Sequence, residues 1–129
     1  MFRFLKYLPL LFFGFVSAQE EAVYSVYFEF DKFSLDDKQA KEVVNFIKNT
    51  DSTRIESVQI FGYTDDIGSD ELNQKLSMAR AESVSKVLQQ EVGSSNRFTF
   101  KTKGYGEQNP ISPNNNDENR KKNRRVEVL

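Results

Sequence analysis

Apolar and polar residues alternate along four short segments of the chain, which is the spacing of half-buried β-strands. The segments cover residues 23–30 and 55–61, a third stretch around 98–101, and a short one at 126–128. The first of them is rich in β-branched and aromatic side chains, which favour strands. The pattern therefore predicts four strands.

Two longer segments repeat their apolar residues with the period of an α-helix. In the first, a stripe with i, i+3, i+4, i+7 spacing begins at Ala40, and Ser34 followed by Asp37 resembles a capping box at the helix start. The second helix is predicted over residues 70–90, with Gly93 as its stop signal.

The elements follow one another as strand, helix, strand, helix, strand, and a turn-rich stretch over 104–119 precedes the last strand. Helices that cross between strands bury one face of a sheet. The sequence therefore predicts an α/β fold, a single two-layer sandwich in which one mixed sheet carries two main helices on one side.

The first residues have the layout of a secretory signal peptide. Arg3 and Lys6 precede an apolar run over 8–16, which is too short to cross a bilayer and ends in small residues. We expect cleavage after Ala18, a signal peptide over 1–18 and one domain over 19–129. The mature protein is then expected to be secreted.

Composition excludes several classes of function. The 129 residues contain no Cys and no His, so the chain lacks thiolate ligands, a cysteine nucleophile and the commonest general base. We expect no catalytic residues, no metal and no cofactor. Without the leader, 16 basic and 19 acidic residues give a formal charge of −3, which does not favour nucleic-acid binding.

A positive charge falls on the apolar side of the second helix. On a helical wheel that starts at Leu72, Arg80 lies at about 80°, inside a stripe that ends at about 120°. A buried guanidinium needs an anionic partner or carbonyl acceptors, because an unpaired buried charge is costly. A structural ion pair, an escape to solvent and a ligand carboxylate all remain open. The stripe consists of Leu72, Leu76, Ala79, Ser83, Val84 and Val87.

The loop before this helix carries the opposite charge. Residues 61–69 follow a strand and precede a helix, where α/β folds often place binding groups, and Asp65 is the natural candidate there. Because helical side chains lean toward the N-terminus, Arg80 can project toward this loop. Such a pair suits a group that carries both an ammonium and a carboxylate, as a free amino acid head does.

Several separated motifs occur together in an order that resembles the OmpA-like peptidoglycan-binding domain, over about residues 23–129. The motifs are Phe28-Glu29-Phe30-Asp31, Gly62-Tyr63-Thr64-Asp65 with Gly68, Asn73, Leu76-Ser77 and Arg80-Ala81, then Gly104-Tyr105-Gly106-Glu107 with Pro110, and Asn123-Arg124-Arg125-Val126-Glu127.

This resemblance implies non-covalent binding of peptidoglycan through the diaminopimelate of its stem peptide. It also implies that Asp65 and Arg80 hold the ammonium and carboxylate of that amino acid, and that Asp31, Asn73 and Arg124 contribute to the same site. The resemblance further implies a periplasmic protein, with outer-membrane association left open. Outer-membrane or other envelope proteins are further partners that it leaves open.

Other interpretations compete with this one. The domain could be an adaptor between envelope proteins, or paired carboxylates could hydrolyse the wall sugars. The basic residues of segment 120–125 could meet a phosphate polymer, mark a helix end or form a solvated surface. A calcium site is a further alternative, although the EF-hand spacing is missing. Its oxygen ligands would come from Asp65, Asp66, Ser69, Asp70 and Glu71.

Overall fold

The computed structural model describes residues 23–50, 55, 57–92 and 99–129. The predicted signal peptide lies outside these residues, as do Gly93 and Phe98. Within them the chain forms β1 (Tyr24–Tyr27), α1 (Asp37–Asn49), β2 (Ser57–Gly62), α2 (Asp70–Val92), β3 (Thr99–Gly104), α3 (Asp117–Asn123) and β4 (Arg125–Val128).

The four strands form one mixed sheet with the order β1-β4-β2-β3. Strands β2 and β3 are parallel, whereas β4 is antiparallel to both β1 and β2. One cluster of buried apolar side chains joins α1 and α2 to the same face of the sheet, which confirms the predicted α/β sandwich. The cluster includes Val26, Val43, Val44, Ile47, Val58, Ile60, Val84, Leu88, Val126 and Val128.

The first strand is shorter than predicted because the chain turns directly after it. The amide of Lys32 donates to the carbonyl of Glu29 at 3.1 Å, and Asp31 adopts a φ of 58°. Asp tolerates this left-handed conformation better than most residues. The turn places Asp31 beyond the end of β1, at the edge of the sheet where the loop before α2 also lies.

The start of α1 differs from the prediction. The N-cap is Asp36, whose Oδ1 accepts from the amide of Gln39 at 2.7 Å, while Gln39 Oε1 accepts from the amide of Asp36 at 3.2 Å. The predicted box of Ser34 and Asp37 is therefore wrong. Gln39 also donates to the carbonyl of Tyr27 at 2.7 Å, so the cap ties the helix to β1.

The side of α2 that faces the sheet consists largely of small residues. A Cβ on Gly62 would lie 2.0 Å from the carbonyl oxygen of Ser77, and one on Gly104 would lie 2.6 Å from the amide nitrogen of Met78. Glycines in the sheet thus allow the helix backbone to approach closely. The predicted apolar stripe faces the core only in part, because Leu72 is 64% exposed whereas Val84 is fully buried. The buried residues of the helix are Asn73, Ser77, Arg80, Ala81, Val84, Ser85 and Leu88.

A short helix that was not predicted, α3, begins at the end of the turn-rich stretch and continues beyond it. Asn116 caps it by accepting from the amide of Asn119 at 2.8 Å, and Asp117 begins a first turn rich in acids. The helix has no apolar stripe, so hydrophobic periodicity could not reveal it. The basic residues of segment 120–122 form its last turn, where they complement the helix dipole.

Candidate functional site

A pocket of about 230 Å³ opens where the turn after β1, the loop after β2 and the start of α2 meet. All five residues predicted from the sequence, Asp31, Asp65, Asn73, Arg80 and Arg124, line it. The remaining lining residues are Phe30, Ile67, Gly68, Leu72 and Leu76.

Arg80 lies at the base of the pocket and has no solvent-exposed surface, so the escape to solvent that the sequence left open does not occur. Its guanidinium donates to three backbone carbonyls, and the ring of Phe28 lies 5.3 Å from its Cζ. The bonds run from Nε to the Lys32 carbonyl at 2.7 Å, from Nη1 to the Tyr63 carbonyl at 3.1 Å and from Nη2 to the Glu29 carbonyl at 3.1 Å.

Burial lowers the pKa of Arg80 to about 10, and the nearby positive charge of Arg124 acts in the same direction. The negative charges of Asp65 and Asp31 oppose this shift. Arg80 therefore stays protonated at neutral pH. Its carbonyl partners satisfy the charge inside the protein and tie the turn after β1 to the loop after β2.

Asp65 is 3% exposed and is held by donors from two different segments. Its Oδ1 accepts from the amide of Ile67 at 3.0 Å, and its Oδ2 lies 3.4 Å from Nη1 of Arg124. In the part of the chain that the structure describes, no ion pair joins Asp65 to Arg80. The two residues thus share a pocket without neutralising each other by direct contact.

Arg124 and Asn73 connect the walls of the pocket. Nε of Arg124 donates to the carbonyl of Phe28 at 3.0 Å, so this side chain links the end of β1 to Asp65. Nδ2 of Asn73 lies 3.3 Å from the carbonyl oxygen of Asp65 and 3.4 Å from Oε1 of Glu107. Both side chains are nearly buried, and both act on the position of Asp65.

Asp31 is the exposed member of the five predicted residues, since the other four are at most 7% exposed. It stands on the turn that Arg80 holds through the carbonyls of Glu29 and Lys32. The pocket therefore combines two carboxylates with two guanidinium groups. Such a balanced arrangement suits a zwitterion better than an ion of one sign.

Glu107 adjoins this site and was noted in the sequence only as part of a motif. A hydrogen bond with the carboxyl of Asp70 is the largest cause that raises its pKa, and desolvation adds to the effect. The hydrogen bond from Asn73 opposes it. No group of three or more acidic, His or Cys side chains in the described segments is arranged to hold a metal ion.

The basic segment near the chain end is divided among different roles. Arg120 pairs with Asp66 at 3.4 Å, and Arg124 and Arg125 are buried. Arg125 lies 3.8 Å above the ring of Tyr63 and pairs with Glu127 at 2.7 Å, a structural role that the sequence analysis missed. Only Lys121 and Lys122 of this cluster are exposed, and the helix-end interpretation is confirmed for residues 120–122 of the segment.

Known proteins resemble this chain in sequence and in fold. Residues 27–124 match the model of the OmpA family. Outer membrane porin F of Pseudomonas aeruginosa is 39% identical over 106 residues, which cover 80% of this chain and 29% of that protein. The chain spans less than a third of the length of the first curated relatives that it matches.

Two solved structures share the fold over most of their length. The peptidoglycan-associated lipoprotein from Burkholderia pseudomallei superposes with a TM-score of 0.71 at 26% identity, covering 81% of this chain and 87% of that one. The C-terminal domain of Helicobacter pylori MotB gives 0.68 at 29% identity, with 82% of each chain covered. Among the described residues, no helix has the length and apolar character that crossing a membrane requires.

Proposed function

The chain belongs to the OmpA family, and on that premise we propose that it binds peptidoglycan without covalent chemistry, through the diaminopimelate of the stem peptide. Its solved neighbours include a protein named peptidoglycan-associated lipoprotein. Relatives are named as outer-membrane proteins, which supports a role in the bacterial envelope. In this proposal the domain is a binding module and has no catalytic residues.

The observation that carries the proposal is the charge-balanced pocket. The free end of diaminopimelate bears an ammonium and a carboxylate. We place the ammonium toward Asp31 and Asp65, and the carboxylate toward Arg124 and Arg80. Asp31 is exposed and meets the ligand first, whereas Asp65 is already oriented by Arg124 and by the amide of Ile67.

Arg80 acts from below the pocket in this arrangement. A guanidinium has five N–H donors, and three of those of Arg80 bind carbonyls, which leaves two. Because the side chain is fully buried, direct contact with the ligand requires a covering group to move aside. Without that movement its charge still attracts the carboxylate through a region of low dielectric constant.

The test is sedimentation with purified peptidoglycan of the diaminopimelate type. We expect Asp31→Asn to weaken binding at least tenfold, because Asn keeps the positive φ but removes the charge. Glu29→Gln is the matched control, since Glu29 is an exposed carboxylate on the same turn that does not line the pocket.

Free diaminopimelate should compete with the wall for the protein, whereas Nα-acetyl-lysine amide, which has a side-chain ammonium but no carboxylate, should compete poorly. Equal competition by both compounds, or by neither, would refute the zwitterion site. Wall binding with which neither compound competes would favour the adaptor interpretation, and release of soluble muropeptides would favour a hydrolase.

We also propose that residues 1–18 are a signal peptide and that residues 19–129 form the periplasmic protein. N-terminal sequencing of the protein from the cell envelope tests this directly. A mature chain that begins at Gln19 is the expected result, and a chain that keeps Met1 or Phe2 would contradict it.

A further inference from the structure

Three large apolar side chains stand exposed around the mouth of the charged pocket. Phe30 is 53% exposed, Ile67 43% and Leu72 64%, and all three line the pocket. We call these three residues the apolar rim. Single exposed apolar residues are common on protein surfaces. These three come from three different segments, the turn after β1, the loop after β2 and the first turn of α2, and they converge on one site.

The rim is fixed to the polar groups beneath it. The amide of Ile67 donates to Oδ1 of Asp65 at 3.0 Å, and the amide of Leu72 donates to Oγ of Ser69 at 3.2 Å. The turn that carries Phe30 is held by Arg80 through the carbonyls on either side of it. The backbone around Phe30 and Ile67 is therefore held by the charged base, and that of Leu72 by the start of α2.

The pocket is also small for a ligand larger than an amino acid. Its volume of about 230 Å³ lies below the range of roughly 300 to 1,000 Å³ of typical ligand pockets. A diamino acid head group can occupy the charged base, but the rest of a peptide has to leave the pocket over its edge. The first groups that it meets there are the apolar side chains of the rim.

We propose that the apolar rim contacts the methylene chain of the diamino acid and the methyl group of the alanine that adjoins it in a stem peptide. The pocket then selects the diamino acid within a peptide over the free amino acid. This inference rests on the proposed function and adds a second, apolar component to the recognition of the same ligand.

Charge and area argue against a second copy of the chain as the occupant. A stable protein interface buries about 1,200 to 2,000 Å², far more than three side chains around one pocket can supply. A flat apolar partner would also cover the charged base without pairing its groups, which is costly. A peptide whose charged head enters the pocket while its small apolar neighbours cover the rim satisfies both surfaces.

The experiment measures the affinity of the full chain for two ligands by calorimetry. The ligands are free diaminopimelate and the tetrapeptide L-Ala-γ-D-Glu-diaminopimelate-D-Ala. We expect the unmodified protein to bind the tetrapeptide at least tenfold more tightly. Leu72→Ser should reduce this ratio at least threefold, because a threefold change is about 0.65 kcal/mol and corresponds to roughly 26 Å² of apolar area that no longer becomes buried on binding.

Phe30→Ser should reduce the ratio similarly and gives a second, independent variant of the rim. Ile111→Ser is the matched control, because Ile111 is also 53% exposed but does not line the pocket. Thermal denaturation confirms that each variant is folded. We expect the control to keep the ratio of the unmodified protein.

Equal affinity of the unmodified protein for both ligands would overturn the rim inference alone and leave the proposed function standing. A ratio that Leu72→Ser and Phe30→Ser leave unchanged would do the same, as would a loss caused equally by Ile111→Ser. Absence of binding by either ligand would overturn the proposed function, and the rim inference with it. Concentration-dependent dimers that dissociate in Leu72→Ser would identify the rim as a protein interface and reject the peptide.

Discussion

Arg80 supports the fold as well as the proposed site, and we predict that Arg80→Ala destabilises the protein strongly. The guanidinium binds carbonyls on both sides of the turn after β1, at Glu29 and Lys32, and a third carbonyl at Tyr63. Its removal leaves these acceptors without their charged donor and separates the two segments that it connects. The change also opens a cavity beneath the pocket.

The magnitude follows from the number and kind of these bonds. A hydrogen bond to a charged partner contributes about 1.5 to 3 kcal/mol, and Arg80 makes three of them. Water that enters the cavity restores part of the loss, because carbonyls opened to solvent can accept from it. We therefore expect a decrease of about 3 to 5 kcal/mol in the free energy of unfolding. Domains of this size have about 5 to 15 kcal/mol in total.

Urea denaturation followed by circular dichroism measures this change. The matched control is Arg120→Ala, which removes a guanidinium whose ion pairs with Asp66 and Asp117 are partly exposed. Pairs of that kind contribute about 0 to 1 kcal/mol. If Arg80→Ala costs no more than Arg120→Ala, the carbonyl contacts do not support the fold as we infer. For the same reason, lost wall binding by Arg80→Ala does not by itself demonstrate contact with the ligand.

The position of Arg80 on the apolar side of α2 could be predicted from the sequence, but its full burial and its particular partners could not. Carbonyl acceptors were among the expected partners, but they belong to the backbone and have no side-chain signature, so the sequence could not indicate which of them bind the guanidinium. Asp65 finds its partner in Arg124, which is far away in the chain and comes close only because β4 lies between β1 and β2. The motifs indicated which residues meet, while the hydrogen bonds depend on the tertiary structure.

The order of strands and helices could be predicted because periods of 2 and 3.6 are visible in the apolar residues. The orientation of α2 could not, because Ser77 and Ala81 approach the sheet closely where Gly62 and Gly104 leave room. An interface of small residues carries no apolar signal. Leu72 and Leu76, which dominated the predicted stripe, line the pocket instead.

Two further predictions concern this helix and its surroundings. Gly62→Ala should lower the free energy of unfolding, measured by urea denaturation, by about 1 to 3 kcal/mol or more. The reason is that the new Cβ would overlap with the carbonyl oxygen of Ser77. Ser57→Ala, at an exposed position of the same strand, is its control, and equal effects of the two changes would argue against the close approach. Glu107→Gln should stabilise the protein at pH 7 and much less at pH 4. Because the pKa of Glu107 is raised in the folded protein, its protonated carboxyl stabilises the fold fully below the ordinary pKa of 4.5. This stabilisation is lost as the pH rises through the raised pKa. Gln resembles the protonated acid, since it can accept from Asn73 and donate to Asp70 at any pH. Thermal denaturation at both pH values measures the difference, with Glu82→Gln on the exposed side of α2 as control. A gain that is the same at pH 4 and pH 7 would show that the carboxyl pair of Glu107 and Asp70 is not its cause.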